Sequence, residues 1–318
     1  MTRPNSNRTV IPMPVASPST SAPEAVSIRK PLAVRLLRLA FQVGGRVAPQ
    51  LTGRWANYLW FRPQRFVPPA REQALLARAM CLPMTHAGKH IAVYAWGTGP
   101  AILLVHGWSG RGAQMGAFID PLVAAGFRVI AFDAPAHGRS EGEDTNLPEV
   151  AELMLELAWR HGPLHAVIAH SFGVLCTLYA LGEGLSVTHV VAVSPPSSIE
   201  GLVDKFAEGL AIPAAAIKVM RSRFEARFGA DLWTRFSPLR LARTTTAQAL
   251  IAHDDTDREV PWQEGEALTQ AWPGAQLLRT HGLGHRRILR DPQVIAQVVG
   301  FITNTPVKMA GNNVDPHT

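Results

Sequence analysis

From residue 82 onward, short apolar runs alternate with amphipathic stretches in a repeated strand, turn, helix rhythm. His90-Ile-Ala-Val-Tyr-Ala-Trp alternates and predicts a strand, closed by the turn Gly97-Thr-Gly-Pro. Ala101-Ile-Leu-Leu-Val is apolar throughout, as expected of a strand buried on both faces. A helix over about 113–126 follows, then the strand Arg128-Val-Ile-Ala-Phe-Asp. Pro148 to His161 predicts a helix and His165-Ala-Val-Ile-Ala-His a strand. Further strands are expected at 189–194, 249–253 and 275–279. Parallel strands alternating with helices predict an α/β, doubly wound sheet covered on both faces. Residues 199–245 break the rhythm, with apolar positions at Phe206, Ile212, Ile217, Phe224, Phe228, Leu232 and Trp233 and no strand pattern. Inserted after the sixth strand, they would lie over the carboxyl edge of the sheet, where ligands bind, and are read as a helical cap.

Ahead of that body the pattern changes. Residues 1–30 hold five prolines among many Ser and Thr, with no apolar period, and read as a disordered arm. From Pro31, Leu32, Val34, Leu36, Leu37, Leu39, Ala40 and Phe41 surround Arg35 and Arg38, predicting an amphipathic helix that ends near Gly44-Gly45. A second basic helical stretch is expected from Pro69 to Met80. The chain therefore divides into a basic arm (1–30), a helical extension (31–81), a core (82–198 and 246–303), a cap (199–245) and a flexible tail (304–318).

Charge sharpens this division. The chain carries 31 Lys+Arg against 24 Asp+Glu, a formal net charge of +7 over 318 residues. Alone, that suggests a nucleic-acid or anionic-surface partner. Yet residues 1–80 hold 12 basic and 2 acidic side chains, leaving 19 and 22 for the rest. The body is mildly acidic, so nucleic-acid binding is not expected. The extension is expected to pack on the body or on a second subunit in a homodimer. Arg beside Leu and Phe also suits a weak contact with an anionic membrane surface. Ser-rich, Arg-rich, acid-poor composition further resembles an organelle transit peptide.

With 47% apolar and 17% charged residues the chain can bury a sizeable core. No uncharged apolar stretch reaches the length of a transmembrane helix. The first residues lack a compact apolar segment for secretion, so a cytoplasmic location is the default expectation. Cys81 and Cys176 form neither a disulfide framework nor a zinc spacing.

Two serines compete as nucleophile. Gly138-Arg-Ser140-Glu-Gly fits the literal G-x-S-x-G pattern, but it is separated from its strand and starts no apolar helix. Ala169-His-Ser171-Phe-Gly lies between an apolar strand and the apolar helix Val174-Leu-Cys-Thr-Leu-Tyr-Ala-Leu, the geometry that projects a hydroxyl above a sheet. A serine needs a base, and the base an orienting acid, in the chain order Ser, Asp or Glu, His. His253-Asp-Asp-Thr-Asp257 follows the seventh strand and His281-Gly-Leu-Gly-His285 the eighth. Asp257 is favoured as the acid, with Asp254 and Asp255 as turn or capping residues. His285 is favoured over His281 because glycines at 282 and 284 free its backbone. Donors for an oxyanion are expected from the N–H of Phe172 and of Trp108 in His106-Gly-Trp. Trp108, Phe172 and His170 are expected to contact the substrate, with His106, His137 and His170 structural or pocket-polar. No metal site and no cofactor are expected.

Leu103-Leu-Val-His-Gly-Trp-Ser-Gly-Arg, Phe132-Asp-Ala-Pro-Ala-His-Gly-Arg-Ser, Ala169-His-Ser-Phe-Gly, Asp257-Arg-Glu-Val-Pro and Gly282-Leu-Gly-His, in that order, resemble the α/β-hydrolase superfamily over roughly residues 82–303. The resemblance implies an eight-stranded, mostly parallel sheet with a helical cap, a Ser171–Asp257–His285 triad, and an oxyanion hole from Trp108 and Phe172. The single-glycine His-Gly-Trp is more similar to the capped esterase, lipase and carbon–carbon hydrolase branches. Ala136 stands where the family pattern has a glycine. The function this implies is hydrolysis of a small to medium carboxylic ester through an acyl-enzyme. An acyltransferase, a thioesterase or carbon–carbon hydrolase, and a non-catalytic ligand-binding member of the fold are the alternatives. Residues 1–30 are expected to be dispensable for turnover, and the helix from Pro31 to serve solubility or assembly.

Overall fold

A computed structural model describes residues 32–303. The arm (1–30) and the tail (304–318) lie outside the described residues. The described chain opens with α1 (Leu32–Val47), α2 (Pro49–Trp60) and α3 (Ala70–Ala77). α1 runs past Gly44-Gly45, and α2 is a helix that the apolar period did not signal. In both, glycine serves tertiary packing. A Cβ on Gly45 would stand 2.6 Å from the Pro213 ring, and one on Gly53 2.5 Å from the Ala216 carbonyl. These glycines let helices approach, although the sequence pattern reads Gly44-Gly45 as a stop.

Eight strands form one sheet: β1 (Met80–His86), β2 (Lys89–Trp96), β3 (Ala101–Val105), β4 (Arg128–Phe132), β5 (Leu164–His170), β6 (Val187–Val193), β7 (Gln248–Asp254) and β8 (Gln276–Thr280). Their order is β1-β2-β4-β3-β5-β6-β7-β8. β1 and β2 pair antiparallel across Ala87 and Gly88, both at positive φ, as a two-residue hairpin requires. β2 is antiparallel to β4, and the remaining pairs are parallel. β1 has no strand signature because it is a half-exposed edge carrying Pro83, a residue the edge tolerates. Its start at Met80 shortens both the expected helix from Pro69 and the extension.

Helix α4 (Ile119–Ala124) is preceded by a 3₁₀ turn over Gly112–Phe118, in place of one helix over about 113–126. α5 (Leu147–His161) is capped by Asn146, whose side chain accepts the Glu149 N–H at 3.1 Å. α6 (Phe172–Gly182) follows β5 directly. Between β6 and β7 lie α7 (Ile199–Leu210), α8 (Ala214–Phe228), α9 (Leu232–Arg235) and α10 (Pro238–Thr244). α11 (Trp262–Ala271), α12 (Gly284–Arg287) and α13 (Pro292–Thr303) complete the chain.

The sheet divides the core. Leu103, Val105, Val167, Ala169, Val190 and Ile251 face α5, α6 and the inserted helices. Ile102, Leu104, Ile168, Val191 and Leu250 face Phe118, Leu122 and α13. The extension is fused to the inserted helices rather than set apart. Trp60 meets Phe206 edge-on at 5.2 Å, Phe61 meets Phe224 at 5.4 Å, and Arg38 donates to the carbonyls of Glu208 and Gly209.

Candidate active site

Ser171 sits between β5 and α6 at φ 52° and ψ −119°, a left-handed conformation that costs a non-glycine residue about 1–2 kcal/mol. The turn survives because its neighbours close on it. The Ser171 N–H donates to the Val193 carbonyl at 2.9 Å. A Cβ on Gly173 would lie 2.7 Å from the Val105 and His106 carbonyls, and one on Gly107 3.2 Å from the Ser171 Cβ. The fully buried Ala169 fits where the pattern allows glycine or alanine. Ser140, by contrast, is built into the fold: its hydroxyl donates to the Asp133 carbonyl and accepts the Ala92 N–H at 2.9 Å, joining β4 to β2.

Ser171 opens into a cavity of about 250 Å³ beneath the inserted helices. Sixteen of its nineteen lining residues are apolar; Thr145, Asn146 and Ser171 are the polar ones. Trp108 and Phe172 line it together, their rings edge-to-face at 5.2 Å. Neither of their backbone N–H groups has a hydrogen-bond partner among the described residues. That of Phe172 is free because it opens α6. One wall comes from Leu59, Trp60 and Phe61 at the end of α2, so the extension helps to shape the cavity. No local pattern signals this, since nothing near residues 59–61 in the chain ties them to the inserted helices.

The three competing aspartates separate by geometry. Asp257 is buried; its Oδ2 accepts His285 Nδ1 at 2.7 Å and stands 3.4 Å from His253 Nε2, while its Oδ1 accepts the N–H groups of Glu259 and Val260. Burial pushes the Asp257 carboxyl up, but the bonds from His253 and His285, the nearby His285 charge and the Val260 N–H together hold it well below the usual carboxylate range. His253 as a second imidazole on this carboxylate was not anticipated. Asp254 is also buried and accepts from Thr256, Thr280 Oγ1 and the N–H groups of Leu283 and Gly284, the two residues before His285. Burial again raises its pKa, and these donors bring it down to about 2. Asp254 thus ties the histidine loop to β7. Asp255 is partly exposed and pairs with His281 at 2.7 Å and Arg279 at 3.1 Å, outside the site.

His170 is not among the residues lining the cavity. Its Nε2 donates to the His285 carbonyl at 2.9 Å and its ring lies 4.7 Å from that of His285, so it braces the loop where a substrate contact was expected. His106 and His137 join the loops after β3 and β4. Their Nε2 atoms accept the N–H groups of Ala134 and Ser109, both at 3.0 Å, which leaves Nδ1 to donate to the carbonyls of Gly107 and Pro135. Ala136, in the second of these loops, holds the left-handed φ of 65° that a glycine would favour. Among the described residues no cluster of three His, Cys, Asp or Glu side chains is arranged to hold a metal ion.

Burial pushes these histidines down: His106 below its ordinary value, His137 to about 3 with His106 adding to the effect, and His170 to about 3 with His285 adding. A depressed folded-state pKa means stability that is complete above the unfolded histidine value of about 6.5 and is lost as pH falls from there towards 3. The free energy of unfolding read from denaturant titrations is therefore expected to fall below pH ~6.5, by up to about 1.4 kcal/mol per pH unit for each of His137 and His170. His137→Gln should flatten that slope by about one proton. A midpoint unchanged between pH 7 and 5 would contradict the buried neutral imidazoles.

Comparison with known proteins places this geometry. A family model described as Alpha/beta hydrolase family matches residues 102–298. No curated protein matches the chain. Among solved structures, the chain is similar to a membrane phospholipase A described as a bacterial virulence factor (18% identity, 86% of this chain and 99% of that one, TM-score 0.57). It is similar also to the Pyrococcus furiosus esterase Pf2001 (19%, 76% and 98%, 0.56) and to alpha/beta hydrolase domain-containing protein 10 from mouse (18%, 70% and 97%, 0.57). At these identities the structures share the fold. The family match spans more than half of the sequence, from β3 to α13, and takes in the serine turn, the aspartate loop and the histidine loop: the chain belongs to the alpha/beta hydrolase family.

Proposed function

We propose that this protein is a serine hydrolase that cleaves carboxylic esters bearing an apolar acyl chain. The observation that carries the reading is a strained serine opening into an apolar cavity, next in sequence to His170, which bonds the His285 carbonyl, while His285 Nδ1 is held by a buried carboxylate. With Asp257 accepting at Nδ1, the His285 proton stays there and Nε2 is left as the base. His285 takes the Ser171 proton as Oγ attacks the ester carbonyl. The oxyanion is stabilised by the Trp108 and Phe172 N–H groups. Collapse of the adduct expels the alcohol, protonated by His285, and leaves the acyl chain on Ser171. Water, deprotonated by His285, then releases the acid and restores the hydroxyl. The esterase and phospholipase A on the same fold are consistent with this chemistry.

The cavity wall sets the preference. Each methylene moved from water into an apolar site is worth about 0.8 kcal/mol, roughly fourfold in kcat/KM. Across p-nitrophenyl esters of increasing acyl length, kcat/KM is expected to climb from acetate by up to about fourfold per methylene before levelling off. A profile that falls from acetate onward would overturn the apolar-chain reading.

A further inference from the structure

Helix α1 is apolar on two opposite faces, and the protein covers one of them. Phe41, fully buried and stacked on Trp55 at 4.3 Å, and Gly45, closed over by Pro213, mark the covered face. Opposite them, Leu32, Leu36, Leu39, Val43 and Val47 recur at i, i+4, i+7, i+11 and i+15, between 52% and 80% exposed. On α2, Leu51, Trp55 and Tyr58 repeat the spacing and are exposed too. Of the twelve large apolar side chains exposed among the described residues, ten fall between Leu32 and Val67. The apolar surface is therefore concentrated on one segment, which marks it as an interaction face.

Charge decides what that face meets. Between Leu32 and Val67 there are six arginines and no acidic residue. Arg38, Arg62 and Arg65 are engaged within the fold, by carbonyls or by Glu143. Arg35, Arg46 and Arg54 are exposed and have no ion pair or hydrogen bond among the described residues. A second copy of the chain, meeting this face about a two-fold axis, would set arginines of like charge against one another. An anionic bilayer accommodates both properties. Leucines and valines enter the acyl boundary, guanidinium groups meet lipid phosphates, and Trp55 and Tyr58 sit at the headgroup level.

The same helix reaches the cavity. α2 leaves Leu51 and Tyr58 exposed and Trp55 open on one side of its stack with Phe41, and it runs through Leu59 and Trp60 to Phe61 just beyond, all three lining the wall. We propose that α1 and α2 dock this protein on an anionic lipid surface, and that the cavity takes its ester from that surface. Docking stands on the exposed face alone; the source of the ester rests on the hydrolase reading.

The test uses the full chain and sedimentable vesicles of phosphatidylcholine, alone or with about one-third phosphatidylglycerol. Wild type is expected to co-sediment with the anionic vesicles at least ~10-fold better than with the neutral ones, and to be released by high salt. Leu39→Glu with Val43→Glu, and separately Arg35→Glu with Arg46→Glu and Arg54→Glu, should each lower that partition at least ~10-fold. Turnover of a short soluble ester should be unchanged in both sets, since none of these side chains lines the cavity. Ser171→Ala should bind vesicles as wild type does, so that failed docking and failed hydrolysis read out separately. Relative to soluble ester, hydrolysis of a long-chain ester embedded in the anionic vesicles should fall in both sets. Equal binding to neutral and anionic vesicles, or none, overturns the proposal. So does a wild-type dimer, seen by sedimentation, that Leu39→Glu with Val43→Glu splits while vesicles stay unbound: the face would then be a subunit contact.

Discussion

Ser171→Ala is expected to abolish labelling by a fluorophosphonate and to reduce turnover of a short ester by at least ~10³-fold, about 4 kcal/mol of transition-state stabilisation. The fold should tolerate the change. Alanine has the same Cβ that already fits beside Gly107, and it can occupy the left-handed turn at no greater cost than serine. The loss would then report chemistry and leave the melting temperature close to wild type. Ser140→Ala is the matched control. Its hydroxyl is committed to the Asp133 carbonyl and the Ala92 N–H, so its removal leaves buried groups unpaired and costs stability, about 1–3 kcal/mol. Labelling should persist. Label lost with Ser140 and kept without Ser171 would reverse the assignment.

Asp257→Asn should lower kcat by about 10⁴-fold while leaving the protein folded. The mechanism is a forced tautomer. Two backbone N–H groups, of Glu259 and Val260, hold one oxygen at 2.8 and 2.9 Å, and an asparagine keeps its carbonyl there. Its amide NH₂ is thereby turned towards His285 Nδ1, 2.7 Å from the other oxygen. The imidazole must then accept at Nδ1 and carry its proton on Nε2, the atom that has to receive the serine proton. Asp254→Asn makes the contrast. It sets an amide among donors from Thr256, Thr280, Leu283 and Gly284, so it should loosen the histidine loop and lower stability with a smaller fall in kcat. If Asp254→Asn proved the more damaging to kcat, Asp257 would not be the orienting acid.

Seven of the eight strands are legible in the sequence because each reads as an apolar or alternating run, and even β8, a partly exposed edge, keeps Leu277 and Leu278. β1 is not, since half exposure at an edge erases the pattern and Pro83 contradicts it. Ser171, Asp257 and His285 were singled out from loop position and chain order, and the structure brings Asp257 and His285 into contact. That no histidine among the described residues lines the cavity was not legible. His170 is drawn away by the His285 carbonyl, a partner 115 positions along the chain. Nor was α2: Gly53 and Trp60 satisfy contacts with α8 and Phe206 that no local window contains.

That shared wall separates two kinds of inheritance. Residues 59–61 and the helices between β6 and β7 determine what fits above Ser171, while Gly107, Gly173, Asp257 and His285 determine the turn and its chemistry. The first group can vary by exchange of whole helices at the surface without disturbing a hydrogen bond of the second. A hybrid carrying a relative's α1–α2 hairpin would therefore be expected to change its preferred chain length and keep its pH profile. If the hybrid behaves so, the part of the chain that shapes the cavity begins at residues 59–61, ahead of the first strand.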